Sequence, residues 1–284
     1  MASYEWLNNV DATWSPTRSG DPVAPGRTSG TELGDVLSGD EFNVRRRELV
    51  TRLGSGGGSF HPTDIAELPP ETPSPDSCAY YLSFRFGARW GIYIGLECWF
   101  DIAKYLHRNG VGASVAVDEA FEMLFRHESF HFEVDRQVLL LERAVGQSTG
   151  KFIDHWLPHL RANNPCYLEE ALANAHAFKY AGKAAKRSAS DDPRRVKLLL
   201  AAWMKRQPPG YRDFHKFATK KIQVLASSQH LSAIMGVHRN DSSYVHGLGD
   251  ILDRRDKANK PQDMFRLTLD LEDGLERPLN IYFF

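Results

Sequence analysis

The residues whose types and spacing could do chemistry are concentrated in one run, His127-Glu128-Ser129-Phe130-His131. On a helix, His127 and His131 would project from one face about one turn apart, so that both imidazoles could bind a single metal ion. Glu128 would lie beside that ion, where its carboxylate could take a proton from a metal-activated water that attacks a carbonyl group. The H-E-x-x-H pattern therefore predicts a metal-dependent hydrolase with Glu128 as the catalytic base.

Two alternatives compete with this interpretation. A surface helix with two unconnected histidines is the simpler one, but the segment around the motif is too apolar for that face to be simply solvated. In the other, Glu128 and His131 form half of a ferritin-like di-iron site, which needs a second Glu-x-x-His on another helix. No other histidine in the sequence has a glutamate three residues before it. With 11 His in 284 residues, chance would produce H-E-x-x-H only about 0.02 times per chain.

A tetrahedral metal site with one open position needs a third protein ligand from another element. The best source is the segment 167–178, in which Glu169 and Glu170 are adjacent. Either glutamate could instead be an exposed acidic residue near a helix N-terminus, where the helix dipole favours it. His176 could compete as a ligand, but its spacing of six residues from Glu170 disfavours ligation by both.

These residues give the sequence its resemblance to the gluzincin branch of the zincin metallopeptidases, which pair H-E-x-x-H with a downstream E-x-x-A helix. Glu170-Ala171-Leu172-Ala173 matches that form, so the resemblance implies a zinc ion with Glu170 as its third ligand. Asn174 follows one turn later, where thermolysin-like relatives have a carboxylate that orients a zinc-bound histidine. An amide oxygen can also accept that imidazole N–H. The run 170–174 also resembles the signature of the ImmA/IrrE metallopeptidases, which implies action on a regulatory protein.

The resemblance further implies a substrate that lies extended against the edge of a small sheet. The aromatic segment 79–94, interrupted by Gly87, is the predicted source of two strands. A donor for the developing oxyanion is also required. The candidates, each of which could equally be a packing or surface residue, are Tyr93, Tyr167, Tyr244 and His246.

The elements that must position these residues follow from periodicity. A long buried helix over residues 115–145 is predicted to carry the motif, and a helix from Asn164 to Arg187 to carry the third ligand. Further helices are predicted over residues 41–53, 96–107, 194–205 and 211–228, and late strands over 265–271 and 279–284. The expected fold class is α+β, with a mainly helical, zincin-like catalytic core and a small sheet before the H-E-x-x-H helix.

Composition divides the chain into three predicted parts. Residues 1–76, rich in Gly and Pro, are expected to be a flexible N-terminal region. Residues 77–187 are expected to form the zincin-like metal-binding core. Residues 188–284 are expected to be a C-terminal helical region with late strands, which either completes the cleft or forms a small second domain.

The composition also indicates the cellular location of the protein. A hydrophobic fraction of 42% and a charged fraction of 25% are ordinary for a soluble globular protein. The first residues do not resemble a secretory signal, and the most apolar stretch, 90–100, is too short to span a bilayer. We therefore expect a cytoplasmic protein with no membrane partner. The three cysteines, Cys78, Cys98 and Cys166, are widely spaced and are expected to be buried small hydrophobes without a disulfide framework.

The segment 179–221 contains 13 Lys or Arg and three Asp. It carries no recognisable nucleic-acid-binding motif, so we expect solvated helix faces rather than a nucleic-acid surface. The expected partner is a protein or peptide substrate. The non-enzymatic alternative is a zincin scaffold that acts as a sensor or partner-binding module through this basic segment, although the intact Glu128 favours an enzyme.

Overall fold

The computed structural model describes residues 39–55, 78–86, 90–144, 151, 155, 167–236, 268–270, 276–278 and 281–283. This part of the chain is mostly helical with small sheets, in agreement with the expected α+β class. The described helices are α1 (Gly39–Ser55), α2 (Leu96–Arg108), α3 (Ala113–Ala144), α4 (Tyr167–Tyr180), α5 (Lys183–Ser188), α6 (Pro193–Lys205) and α7 (Lys220–Met235). The described strands are β1 (Ala79–Leu82), β2 (Gly91–Ile94), β3 (Thr268–Asp270), β4 (Glu276–Pro278) and β5 (Ile281–Phe283).

The two predicted strands are present as an antiparallel hairpin, but they are shorter than the aromatic segment. β1 and β2 are antiparallel, with Ala79 opposite Ile94, and Phe84–Phe86 forms a 3₁₀ turn rather than strand. β5 adds to the other side of β2 in parallel, so among the described strands β2 is central and β1 is an edge. β3 and β4 form a separate antiparallel pair. The end of the chain thus completes the sheet that precedes the H-E-x-x-H helix.

Helix α3 is the central element of the fold. Its 32 residues contain neither Pro nor Gly, so nothing in the backbone interrupts it. It packs against α2, α4, α1 and the β1–β2 hairpin, and is buried on nearly every face in its middle turns. Phe121 and Trp99 are in ring contact at 5.2 Å, and Phe42 of α1 packs on both. These contacts hold the helix that carries the motif.

Two helices predicted from periodicity are interrupted in the structure. The helix expected to run to Arg187 ends at Tyr180, because Gly182 adopts a left-handed φ of 85° and starts a new direction. A side chain there would collide with the carbonyl of Pro193. The helix expected over 211–228 is a 3₁₀ segment at Tyr211–Phe217, followed by α7. The predicted cap Asn164 lies outside the described residues.

Two buried carboxylates of α3 bind neighbouring elements. Glu119 accepts hydrogen bonds from the backbone N–H groups of Gly182, Ala184 and Ala185, and so caps the short helix α5. Burial raises the pKa of Glu119 to about 7 in spite of these donors. Asp135 accepts from the Nε of Arg85 at 2.6 Å, as well as from two hydroxyl groups of the hairpin, and so fastens the end of β1 to α3.

The expectation that the cysteines form no disulfide is wrong for two of them. Cys78 and Cys98 are joined, with their Cα atoms 5.1 Å apart. The hairpin causes this proximity, because Gly95, just before α2, donates a backbone hydrogen bond to the carbonyl of Cys78. The cytoplasmic location expected from the sequence stays a prediction. Among the described residues, no helix has both the length and the apolar character needed to cross a membrane.

Candidate metal centre

Helices α3 and α4 bring His127, His131 and Glu170 together in a buried group of the kind that could bind a metal ion. The Nε2 atom of His127 lies 3.1 Å from the Oε2 atom of Glu170 and 3.3 Å from the Nε2 atom of His131. The Nε2 atom of His131 is 3.5 Å from the same carboxylate oxygen. The two histidines share a face because they are four residues apart on α3, and Glu170 meets them from the first turn of α4.

The spacing of these three atoms fits a tetrahedral metal ion. Metal–ligand distances of about 2.0–2.1 Å and a tetrahedral angle place two ligand atoms about 3.3 Å apart. The observed separations of 3.1, 3.3 and 3.5 Å bracket that value. Two imidazole nitrogens and one carboxylate oxygen are also the donor set of catalytic zinc sites.

The hydrogen bonds of Asn174 determine the tautomer of His127. The Nδ2 group of Asn174 donates to the carbonyl of Tyr211 at 2.9 Å and to Oε1 of Gln207 at 2.6 Å. Its Oδ1 atom therefore faces His127 Nδ1, at 2.8 Å, and accepts from it. Because the proton of His127 is on Nδ1, its Nε2 directs a lone pair toward the other two potential ligand atoms, on His131 and Glu170.

Glu169 has the same effect on His131. Its Oε1 atom lies 2.8 Å from His131 Nδ1, and a carboxylate can only accept, so Nδ1 carries the proton. Three electron-rich atoms thus converge: Nε2 of His127, Nε2 of His131 and Oε2 of Glu170. Such an arrangement is repulsive unless positive charge lies between the atoms, supplied by a metal ion or by a proton on a histidine.

The pKa shifts of the surrounding side chains reflect this need for positive charge. Burial by itself lowers the pKa of His131, but Glu170 and Glu169 more than reverse the effect and hold the pKa well above its usual value. Burial likewise raises the pKa of Glu169, yet hydrogen bonds from His131 and His230 outweigh it and the pKa is lowered. Glu169 is therefore an ionised carboxylate in the protein interior.

Glu128 lies between the ligand group and the sheet. The backbone N–H of Tyr81, on the edge strand β1, donates a hydrogen bond to its carboxylate. Its Oε1 atom is buried, and within the described part of the chain no hydrogen-bond partner reaches it. Burial raises the pKa of Glu128 to about 8, and a cation at the ligand group would act against this shift by stabilising the carboxylate.

The remaining candidates from the sequence are not assembled around this group. Tyr93 is buried in β2, where its ring stacks on Tyr80 at 4.7 Å, and Tyr167 is half-exposed at the start of α4. His176 packs against Phe130 and Tyr180 and is not a member of the group of potential ligand atoms. The candidate oxyanion donors Tyr244 and His246 lie outside the described residues.

Three contributors were missed from the sequence. The sequence predicts Glu169 to be either an alternative ligand to Glu170 or an exposed acid, but it is fully buried and accepts from both His131 and His230. The adjacent pair of glutamates was a usable signal, since two neighbours on a helix point about 100° apart and can serve different partners. His230, and Tyr211 with its ring 5.9 Å from that of His127, had no local signal because they lie far along the chain.

No family model matches the chain, and neither the curated proteins nor the solved structures yield a match. The likeness to the gluzincins therefore remains one of motif, carried by the residues of α3 and α4. Function has to be inferred from the chemistry of the site.

Proposed function

We propose that this protein is a zinc-dependent metallopeptidase in which His127, His131 and Glu170 hold the metal and Glu128 is the catalytic base. The supporting observation is the convergence of three lone-pair donors at 3.1–3.5 Å, next to a buried glutamate that has a free acceptor oxygen. A mostly helical core in which a small sheet precedes the H-E-x-x-H helix also suits a zincin-like fold.

Zinc is favoured over other divalent ions by the ligand type, since imidazole with one carboxylate suits it and hard cations prefer all-oxygen sites. Three protein ligands leave a fourth position open, as in catalytic rather than structural zinc sites. A zinc ion bound here would supply Lewis acidity and would lower the pKa of a water molecule in that position.

The protein's own residues handle the proton. Tyr81 N–H holds one side of the Glu128 carboxylate, which leaves Oε1 as the acceptor for a proton from the attacking water. The same oxygen then delivers that proton to the departing amine nitrogen. Asn174 and Glu169 keep both imidazoles in the tautomer with Nε2 unprotonated.

A peptide substrate is favoured by the position of β1. Within the part of the sheet that the structure describes, this strand is an edge and lies against α3 beside Glu128, so an extended backbone alongside it would come close to the catalytic base. The resemblance to the gluzincins supports the same substrate class.

One observation favours a second candidate function, a zincin-scaffold sensor or partner-binding module that binds metal without turnover. His127 and Glu128 are each only 1% exposed, which is deep burial for groups that must meet a substrate. In such a module the metal would stabilise the packing of α3 against α4, and Glu128 would have no turnover to support.

Two measurements on purified full-length protein test the proposal. Elemental mass spectrometry should find about one zinc per chain, lost in His131→Ala and Glu170→Ala but kept in Glu128→Gln. His176→Ala is the matched control, because it removes another buried histidine that is not in the ligand group. Digestion of a peptide library should proceed with wild type and stop with Glu128→Gln. Zinc without hydrolysis in wild type would favour the sensor, and no zinc even after supplementation would overturn both functions.

A further inference from the structure

A second His/Glu group adjoins the ligands and shares an element with them. His155, Glu169 and His230 have potential ligand atoms within 4.8 Å of one another. Glu169 connects this group to the first, since Oε1 accepts from His131 Nδ1 and Oε2 lies 2.8 Å from Nε2 of His230. The question is whether this group binds another metal or supports the one beside it.

The distances distinguish these two roles. Both contacts of Glu169 are 2.8 Å, the length of a charge-assisted hydrogen bond between an N–H and a carboxylate. A metal ion between two donors would hold them about 3.3 Å apart, as the atoms of the first group are. Both oxygens of Glu169 are thus occupied by imidazole N–H donors. The geometry is that of a chain, His230 to Glu169 to His131, that ends at the candidate metal.

Packing holds His230 in place independently of this chain. Helix α7 contacts both α3 and α4, and His230 is buried. Its neighbours on α7 are members of a hydrophobic cluster that includes residues of both other helices, namely Leu231, Ile234 and Met235 with Phe130, Val134 and Leu172. The His230 ring also meets that of His155 at 5.3 Å. The donor nitrogen of His230 is therefore presented to Glu169 by a fixed framework.

We propose that His230 is a positioning residue of the metal centre. It holds Glu169 in the orientation in which Glu169 accepts from His131, and so fixes the His131 ring with its Nε2 aimed at the ligand group. This inference rests on the proposed metal site and extends it: helix α7, far along the chain from the H-E-x-x-H run, contributes to metal affinity without touching the metal.

The first test measures zinc affinity on the full chain by competition with a chromophoric chelator. His230→Phe keeps the ring volume but removes the donor, and should weaken zinc binding by about tenfold, at the lower end of the range for residues that support metal ligands. His230→Gln returns an N–H donor at a similar reach and should recover most of that loss. His176→Phe, a matched buried histidine outside the chain of hydrogen bonds, should leave affinity unchanged.

A double variant separates positioning from general structural damage. In a Glu169→Ala background the connection is already cut, so His230→Phe should cause no further loss of zinc affinity. An undiminished loss in that background would overturn the inference, as would wild-type affinity in His230→Phe alone. The visible absorption of the cobalt-substituted protein gives a second readout, which should change in His230→Phe and return toward wild type in His230→Gln. Melting temperatures of the metal-free variants verify that each one folds.

Metal stoichiometry distinguishes the remaining outcomes. One zinc per chain, retained in His155→Ala, supports the hydrogen-bonded chain. Two zinc ions per chain, one of them lost in His155→Ala, would overturn it in favour of a second metal site. No zinc in wild type would remove the proposed function and this inference together, whereas one zinc with an unaffected His230→Phe would remove this inference alone.

Discussion

The two candidate metal-binding histidines are held by different chemistry. His127 donates to a neutral amide, Asn174, which is itself held by Gln207 and the Tyr211 carbonyl. His131 donates to a carboxylate, Glu169, which is held by His230. A carboxylate makes an imidazole a stronger electron donor than an amide does, so His131 should be the stronger ligand. Asn174 and Glu169 therefore fix the same tautomer in the two imidazoles, but only Glu169 adds negative charge.

The largest expected effect is on zinc affinity, and it distinguishes the charged residue Glu169 from the neutral residue Asn174. Glu169→Gln should weaken zinc binding by about 10–100-fold, whereas Asn174→Ala should weaken it by less than about tenfold. The reason is that the first change removes a charge and the second only a neutral acceptor. Zinc competition titrations of both variants provide the measurement. Wild-type zinc affinity in Glu169→Gln, whose amide oxygen can still accept from His131 Nδ1, would show that the charge of Glu169 contributes nothing beyond its hydrogen bond.

The next effect is on the free energy of unfolding rather than on zinc affinity. Asn174→Asp should lower the free energy of unfolding by about 1–3 kcal/mol in urea titrations at pH 7, because a carboxylate cannot donate to the Tyr211 carbonyl. An amide rather than a carboxylate therefore suits this position, because only the amide can donate to the Tyr211 carbonyl and also accept from His127. Glu169→Gln is the reverse exchange, from carboxylate to amide. In the absence of metal it should lower the free energy of unfolding by less than Asn174→Asp does, because His230 can present an acceptor nitrogen to the new amide. A stable Asn174→Asp protein would contradict the assigned orientation of the amide.

The third effect compares Glu169 with another buried carboxylate, Glu119, which accepts hydrogen bonds from three backbone N–H groups. Its pKa of about 7 lies above the ordinary 4.5, so the folded protein keeps a proton there that the unfolded chain has released. Its contribution to stability is therefore lost as pH rises from about 4.5 to 7, and stays constant above that. The contribution of Glu169, whose pKa is lowered, is instead lost as pH falls below about 4.5.

Urea unfolding of chelator-treated protein between pH 5 and 8 measures this difference. The free energy of unfolding should decline by about 1–2 kcal/mol less between pH 5 and 7 in Glu119→Gln than in wild type. Above pH 7.5 the two proteins should show the same pH dependence. Parallel stability curves for the two proteins across the range would mean that Glu119 is ionised throughout.

The smallest expected effect concerns the hydrogen bond from the Asn174 amide to Gln207. Gln207→Met removes one acceptor of the Asn174 amide but leaves the Tyr211 carbonyl, so the amide keeps its orientation. We expect a loss of about 1 kcal/mol in unfolding free energy and zinc affinity close to wild type. A large loss of zinc affinity would mean that Gln207, rather than Tyr211, determines which way Asn174 faces.

Much of the helical framework could be predicted because its signals are local. The predicted 115–145 helix and the observed Ala113–Ala144 agree closely, since a run without Pro or Gly has nothing to end it. The break at Gly182 was missed because a glycine inside a helical pattern forces no break by itself. The close approach of Pro193 makes that position specific to glycine. The Cys78–Cys98 disulfide was missed for a related reason, since only the hairpin brings the two residues together.

The sequence by itself determined that His127, Glu128 and His131 lie on one stretch of helix, because the 3.6-residue period acts within a few residues and needs no partner. Only the tertiary structure decided which of two adjacent glutamates faces both histidines and which one accepts a hydrogen bond from the far side of the His131 ring. That choice depends on the rotation of α4 about its own axis against α3, which is set by packing over its whole length. The parts played by Tyr211 and His230 were decided in the same way, since their helical segments are brought to the site by the core and not by any pattern in the chain.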